Sequence, residues 1–141
     1  MMNKKELISF YSEFSRQFDE KIGSLTLYDA SYTDLVNRAP RKQTLLDLAC
    51  GPGNVSAFIK KQVPDIQVTC VDLSPRMLEI ARCKIPDAKF YESDILDINI
   101  PLDNYDIIVC GFGLPYINAN DVRLVAQQII GQGTNLPRAR W

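Results

Sequence analysis

The chain has 141 residues, of which 46% are apolar and 23% charged, a balance typical of one globular domain. Its net charge of −1 excludes the strongly basic field that gathers nucleic acid or anionic lipid, so we expect neither a nucleic-acid nor a membrane partner. Apolar runs shorter than the roughly 18 to 20 residues of a membrane span, and a polar first segment, favour a cytoplasmic location.

Two amphipathic helices are predicted at the start of the chain. Between residues 4 and 22 apolar residues recur every three or four positions and so share one helical face. A second pattern of this kind runs from Leu27 to Val36 and ends before Ala39 and Pro40. We therefore expect residues 1–40 to form a helical cap.

After residue 43, short apolar runs alternate with helical patterns. The segments that predict strands are residues 44–49, 66–71, 88–91 and 105–110. One intervening helix is expected to be capped by Asn54 and closed by Pro64, and the next to have Ser74 as N-cap and Pro75 as first residue. This alternation indicates an α/β fold, a doubly wound parallel sheet of about four strands.

The cysteines and the absence of histidine limit the chemistry. Cys50, Cys70, Cys83 and Cys110 lie far apart without a CxxC pair, which favours buried, reduced thiols over a disulfide or metal site. Without histidine, neither a common mixed zinc site nor a Ser-His or Cys-His mechanism is expected. The sequence predicts no metal site and identifies no catalytic residue.

A glycine-rich turn, DLACGPGN, is the strongest functional signal. It joins the first strand to a helix, at the end of a parallel strand where such sheets bind ligands. Gly51 and Gly53 allow the backbone to approach a ligand closely. Asp47, before the turn, suits a cationic group, from which it accepts hydrogen bonds directly or through water.

Two further carboxylates follow the next two strands. Asp72 lies 21 residues after Gly51, where an acidic residue can hold both ribose hydroxyls of an adenosine cofactor. Asp94, beside Ile95, is placed to accept an adenine amino group. Asp72 alone is equally explained as a solvated helix-entry residue, and Asp94 alone is better explained as a cap or turn residue. Their joint spacing favours convergence with Asp47 around one nucleoside.

Taken in order, LLDLACGPGN, VTCVDLSPRMLEIA, ESDILD and YDIIVCGFGLPYI resemble the motif series of class I S-adenosylmethionine-dependent methyltransferases. The resemblance covers about residues 44–125. It implies a Rossmann-like domain in residues 41–130 that binds S-adenosylmethionine and transfers its methyl group to a small-molecule acceptor by in-line displacement. It also implies the cofactor contacts: Asp47, Ala49, Gly51 and Gly53 for the methionine part, Asp72 for the ribose, Leu73, Met77, Asp94 and Ile95 for the adenine, and Cys110, Gly111 and Phe112 near the sulfonium.

Several of these residues have a simpler interpretation. Met77 and Phe112 are equally explained by core packing. Tyr11, Phe14 and Phe18 on the first helix form either a lid over the cofactor or ordinary core and interface contacts.

The sequence departs from the family pattern in two ways. Residues 114–116 (LPY) stand where many relatives carry a histidine, so no catalytic base is implied there. After a helix near residues 121–130 the family continues with three more strands, whereas this chain ends in residues 131–141, which we expect to be an irregular tail. We therefore expect a fragment, a truncated form or an altered reading frame. The fourth strand then becomes an exposed sheet edge, through which a homodimer can form.

Two other functions stay open at this point. An NAD(P)-dependent oxidoreductase shares the glycine turn and the acidic residue after the second strand, although residues 51–56 (GPGNVS) lack the third glycine of GxGxxG. A non-catalytic module that binds a cofactor or partner is the other alternative, because of the missing strands. The sequence does not identify the methyl acceptor.

Overall fold

The computed structural model describes residues 2–23, 26, 28–101, 104–110 and 120, without the side chains of residues 22 and 23. The helices and strands within these residues are α1 (Lys4–Gly23), α2 (Asp29–Arg38), β1 (Thr44–Leu48), α3 (Asn54–Gln62), β2 (Gln67–Asp72), α4 (Pro75–Lys84), β3 (Lys89–Glu92) and β4 (Ile107–Val109). The predicted helix near residues 121–130 and the tail at residues 131–141 lie outside the described part. The division into a cap, a domain and a tail stays a prediction.

The strands form one parallel sheet in the order β3-β2-β1-β4, which confirms the predicted α/β class. At its centre, Leu46 of β1 lies opposite Thr69 of β2 on one side and Ile108 of β4 on the other. The chain moves outward from β1 in one direction through β2 and β3, then returns to place β4 on the opposite side. In such sheets the ligand crevice lies at the carboxyl ends of the strands where the winding direction changes.

Alternating strand residues divide the interior into two apolar layers. Leu45 faces the layer that α2, α3 and α4 complete, whereas Leu46 and Leu48 face the other side. There, the covering side chains in the described part of the chain include Ile95, Leu96, Ile98, Ile100 and Tyr105. Burial of both sheet faces is typical of parallel sheets and explains the nearly continuous apolar sequence of β1.

The starts of the helices follow local hydrogen bonding. At α1, the Asn3 backbone N–H donates to Glu6 Oε2 (2.8 Å) and the Glu6 backbone N–H donates to Asn3 Oδ1 (3.0 Å), a reciprocal cap. At α4, Ser74 is the N-cap as predicted, and its Oγ accepts from the Met77 backbone N–H. The prediction that Asn54 caps α3 is wrong: Gly53 holds the N-cap position in a left-handed conformation, and Asn54 is the first helical residue.

The burial of the cysteines agrees with the sequence-based interpretation at three of four positions. Cys50, Cys70 and Cys110 are buried, whereas Cys83 is exposed on α4. A hydrogen bond with Cys70, together with burial, raises the pKa of the Cys50 thiol well above its ordinary value. A thiol with a raised pKa is a poor nucleophile, so Cys50 behaves as a small apolar residue.

No helix in the part of the chain that the structure describes is long and apolar enough to cross a bilayer.

Candidate functional site

A cavity opens at the carboxyl ends of β1 and β2, and α1 forms its outer wall. About 900 Å³ of empty space lies between its lining residues, and part of this space is open to solvent. Its lining residues are Leu7, Ile8, Tyr11, Phe18, Ala49, Cys50, Gly51, Pro52, Asn54, Val55, Asp72, Leu73, Ser74, Met77, Ser93, Asp94 and Ile95. Seven of the positions singled out from the sequence therefore meet in one cleft: Ala49, Gly51, Asp72, Leu73, Met77, Asp94 and Ile95.

The glycine-rich turn has an unusual backbone. Ala49, Gly51 and Gly53 have φ angles of 54°, 54° and 83°, in the left-handed region that favours glycine. A Cβ on Gly51 meets no heavy atom within 4 Å, whereas one on Gly53 lies 3.0 Å from Ala81 Cβ. Gly51 thus leaves space beside the cavity, and Gly53 allows α3 to pack closely on α4. Ala49 accepts a conformation that is costly for a residue with a Cβ, a strain that often occurs at functional sites.

Asp72 ties the end of β2 to the turn. Its Oδ2 accepts from the Gly51 backbone N–H (2.7 Å) and its Oδ1 from the Ser74 backbone N–H (2.8 Å). Burial raises the pKa of Asp72, and the N–H groups of Ser74 and Gly51 oppose that rise. Since an ionised carboxylate offers about four acceptor positions, Asp72 can also accept from ligand hydroxyls at the cavity surface.

Asp94 lines the cavity on the side of β3, which it follows in the chain. Its Oδ1 accepts from the Leu96 backbone N–H (3.0 Å), and its Oδ2 lies 3.2 Å from Lys4 Nζ of α1. The hydrogen bond to Asp94 raises the pKa of Lys4. Ile95 is buried next to it and adds an apolar surface to the cavity.

Asp47 is placed differently from the other two carboxylates. It is 1% exposed and does not line the cavity; its Oδ2 accepts from the Ser56 hydroxyl at 2.6 Å. Ser56 Oγ in turn accepts from the Cys70 thiol at 3.7 Å. Burial raises the pKa of Asp47 to about 7, against the opposing effect of the Ser56 hydrogen bonds. The structure therefore places Asp47 in a buried polar network below the turn.

Two further sequence-selected residues, Gly53 and Cys110, do not line the cavity. Gly53 is buried against α4, and Cys110 is buried in the apolar layer that contains Leu46. Gly111 and Phe112 lie outside the described residues. Met77, for which core packing was the alternative, is 2% exposed and contributes both to the interior and to the cavity lining.

Four apolar residues of α1 face the cavity, and we call them the α1 wall: Leu7, Ile8, Tyr11 and Phe18. The rings of Tyr11 and Phe18 meet edge to face with centroids 5.6 Å apart. Phe14, the third aromatic residue proposed for a lid, is 37% exposed and does not line the cavity.

Several lining residues had no role in the sequence-based hypothesis. The sequence patterns predict Asn54 and Ser74 only as helix caps and assign no role to Ser93. Each directly follows or precedes a selected motif residue, and a polar residue in that position is the signal that identifies them.

The amino-acid sequence is similar to those of known methyltransferases. Residues 45–131 match the family described as "Methyltransferase domain". A trans-aconitate 2-methyltransferase of Enterobacter sp. is 41% identical over 73 residues, which are 52% of this chain and 29% of that protein. The Escherichia coli enzyme of the same name is 30% identical over 115 residues, 82% of this chain and 40% of its own length. The chain thus spans less than half the length of these curated relatives.

Solved structures share the fold. An amino pentose methyltransferase from Micromonospora echinaspora with bound S-adenosylmethionine has a TM-score of 0.66 at 20% identity, over 80% of this chain and 49% of that one. An S-adenosylmethionine-dependent methyltransferase from Clostridium acetobutylicum has a TM-score of 0.66 at 24% identity, over 87% and 53% of the two chains. At these identities the likeness concerns the fold alone.

Proposed function

Since this chain belongs to the methyltransferase domain family, we propose that its cavity binds S-adenosylmethionine and that the protein transfers the methyl group to a small-molecule acceptor. The observation that carries the proposal is the convergence of Gly51, Asp72 and Asp94 on one cleft, although they follow three different strands. An adenosine cofactor presents hydroxyl and amino donors spaced along its length. Carboxylates at successive strand ends match that distribution.

The residues present fit this cofactor. Asp72 keeps acceptor positions for the two ribose hydroxyls after the backbone N–H groups of Gly51 and Ser74 are satisfied. Leu73, Met77 and Ile95 supply apolar surface for the adenine ring, and Asp94 lies beside them to accept its amino group. An orphaned polar atom gives further support: Asn54 Nδ2 is a buried donor at the cavity with no partner among the described residues.

The chain contributes positioning to the reaction. When bound, S-adenosylmethionine supplies an electrophilic methyl group on a positively charged sulfur. Gly51, without a side chain, leaves room beside the turn, and the α1 wall gives the same cleft an apolar side. Asp47, whose pKa is about 7, adds negative charge below the turn as it ionises and so favours the cationic cofactor more strongly above neutral pH.

A small acceptor is the class that the relatives support. The named relatives are trans-aconitate 2-methyltransferases, and a structural neighbour is an amino pentose methyltransferase. Both names describe small acceptors, although of different chemistry. We therefore propose a small-molecule acceptor for this chain, and neither a nucleic acid nor a membrane as partner.

Asp72→Asn tests cofactor binding. Calorimetry with S-adenosylhomocysteine should show about 10- to 100-fold weaker binding, because charge-assisted hydrogen bonds to the ribose are lost while the side-chain size is kept. Glu92→Gln is the matched control. Glu92 lies opposite Asp72 on β3 and is exposed outside the cavity lining, so its removal should leave the affinity unchanged.

Absence of S-adenosylhomocysteine binding by the unmutated chain would contradict the proposal. A fluorescence titration with NADH tests the oxidoreductase alternative, which gains support only if NADH binds more tightly. Binding without turnover of any small acceptor favours a cofactor-binding module, the other alternative.

The homodimer through β4 and the cytoplasmic location stay predictions. Sedimentation of the purified chain tests whether the homodimer forms.

A further inference from the structure

Asn54 occupies a polar junction at one end of the cavity. It is the first residue of α3 and lines the cleft beside Gly51. Its Oδ1 accepts from Lys84 Nζ of α4, and the same ammonium group pairs with Asp19 of α1. Asn54 and Lys84 therefore connect three helices, α1, α3 and α4.

The amide of Asn54 has a fixed orientation. Because Lys84 carries only donors, it must face the carbonyl oxygen of Asn54, and the NH2 group must point the other way. That NH2 group is buried and has no hydrogen-bond partner among the residues the structure describes. A buried donor without an acceptor is costly, and in native proteins it usually has a ligand or water as partner.

The surroundings of this donor favour a negative group. The Lys84 ammonium polarises the amide through Oδ1, and the N-terminus of α3, where Asn54 is the first helical residue, carries a partial positive charge. Asp72 and Asp94 lie toward the β2 and β3 side, where the adenosine part is placed by the proposed function. The amino-acid part of the cofactor then extends toward the turn, and its α-carboxylate is its anionic acceptor.

We propose that Asn54, oriented by Lys84, donates through Nδ2 to the α-carboxylate of S-adenosylmethionine and so selects ligands that carry the complete amino-acid part. The inference rests on the proposed function and deepens it. It assigns recognition of the nucleoside to Asp72 and Asp94, and recognition of the carboxylate to Asn54.

Two ligands separate these two recognition tasks. S-adenosylhomocysteine contains the carboxylate, whereas methylthioadenosine keeps the adenosine and the sulfur but lacks it. Calorimetry with both ligands is performed on the unmutated chain, Asn54→Ala and Asn54→Asp. Asn54→Asp keeps an oxygen for Lys84 while replacing the donor with a negative charge, and Asn37→Asp on the exposed part of α2 controls for the added charge.

Asn54→Ala should weaken S-adenosylhomocysteine binding about 10- to 100-fold, the range for a lost hydrogen bond to a charged group. Asn54→Asp should weaken it further, because two carboxylates then face each other. Methylthioadenosine should bind both variants and the unmutated chain equally, and Asn37→Asp should bind both ligands normally.

Equal weakening of both ligands by Asn54→Ala overturns the inference, since it indicates a structural role rather than carboxylate recognition. Unchanged S-adenosylhomocysteine affinity in both Asn54 variants overturns it as well, and in that case the proposed function survives. If the unmutated chain binds neither ligand, the proposed function itself fails and the inference fails with it.

Discussion

The buried carboxyl of Asp47 should make the stability of this protein fall as the pH rises toward neutrality. Asp47 is 1% exposed, and its only described side-chain partner is the Ser56 hydroxyl. Burial raises its pKa from 3.8 to about 7. Asp47→Asn keeps the size of the side chain and an oxygen that accepts from Ser56, but it removes the ionisation.

The magnitude follows from proton linkage. Between pH 3.8 and about 7 the folded state keeps the proton on Asp47 while the unfolded chain has lost it. The free energy of unfolding therefore decreases with rising pH, by about 1.4 kcal/mol per unit for one proton. The cost is absent below the unfolded pKa and complete above the folded one. Over the accessible range from pH 5 to 8 it amounts to about 3 kcal/mol.

Urea denaturation followed by circular dichroism at pH 5, 6, 7 and 8 measures this effect. The stability of Asp47→Asn relative to the unmutated chain should increase by about 3 kcal/mol between pH 5 and 8. Asp65→Asn is the control, since Asp65 is exposed in the turn before β2 and should give parallel curves. Parallel curves for Asp47→Asn would show that the carboxyl is ionised or hydrated in the folded protein, and would refute the reasoning.

The glycines of the turn and the cap of α4 give two further stability predictions. Gly51→Ala should cost about 1 kcal/mol, because only the left-handed backbone opposes the new Cβ, whereas Gly53→Ala should cost at least about 2 kcal/mol more through its clash with Ala81. Urea denaturation of both variants checks this order, and equal costs would mean that α3 and α4 separate easily. Ser74→Ala should destabilise the protein by about 1 kcal/mol, because α4 loses its N-cap. Ser9→Ala on the exposed side of α1 should have no effect in the same assay, and a similar loss in both variants would argue against capping by Ser74.

Much of the fold was predictable because local signals and burial agree. The predicted strands at residues 44–49 and 66–71 match β1 and β2 within one residue at either end. Ser74 and Pro75 marked the start of α4 correctly, since both favour the first turn of a helix for local reasons. The predicted strand at residues 105–110 is shorter in the structure because Asp106 Oδ2 accepts from the Gln43 and Thr44 backbone N–H groups. These hydrogen bonds to the Asp106 side chain precede the backbone pairing of β1 with β4, which begins at Leu45 and Ile107.

The site was less predictable, because exposure and side-chain direction depend on tertiary packing. Asp72 and Asp94 follow strand ends, so topology alone brings them to one edge of the sheet. Asp47 lies within β1, and strand alternation turns it toward α3, where Ser56 meets it. Asn54 suits an N-cap on propensity grounds, but Gly53 already closes the turn and Lys84 engages the Asn54 side chain. Contacts between residues that are 30 positions apart do not appear in local sequence patterns.

The attachment of α1 suggests how ligand binding and folding are linked. Its described polar contacts with the rest of the chain include Lys4–Asp94, Lys4–Asp97, Ser12–Ser74 and Asp19–Lys84. Ion pairs near the surface contribute about 0 to 1 kcal/mol each, so the apolar α1 wall must provide most of the free energy that holds the helix in place. That wall faces a cavity, and its side chains are only partly buried where they line it. A ligand in the cavity adds apolar surface for the α1 wall to contact, so the docked helix and the bound ligand stabilise each other.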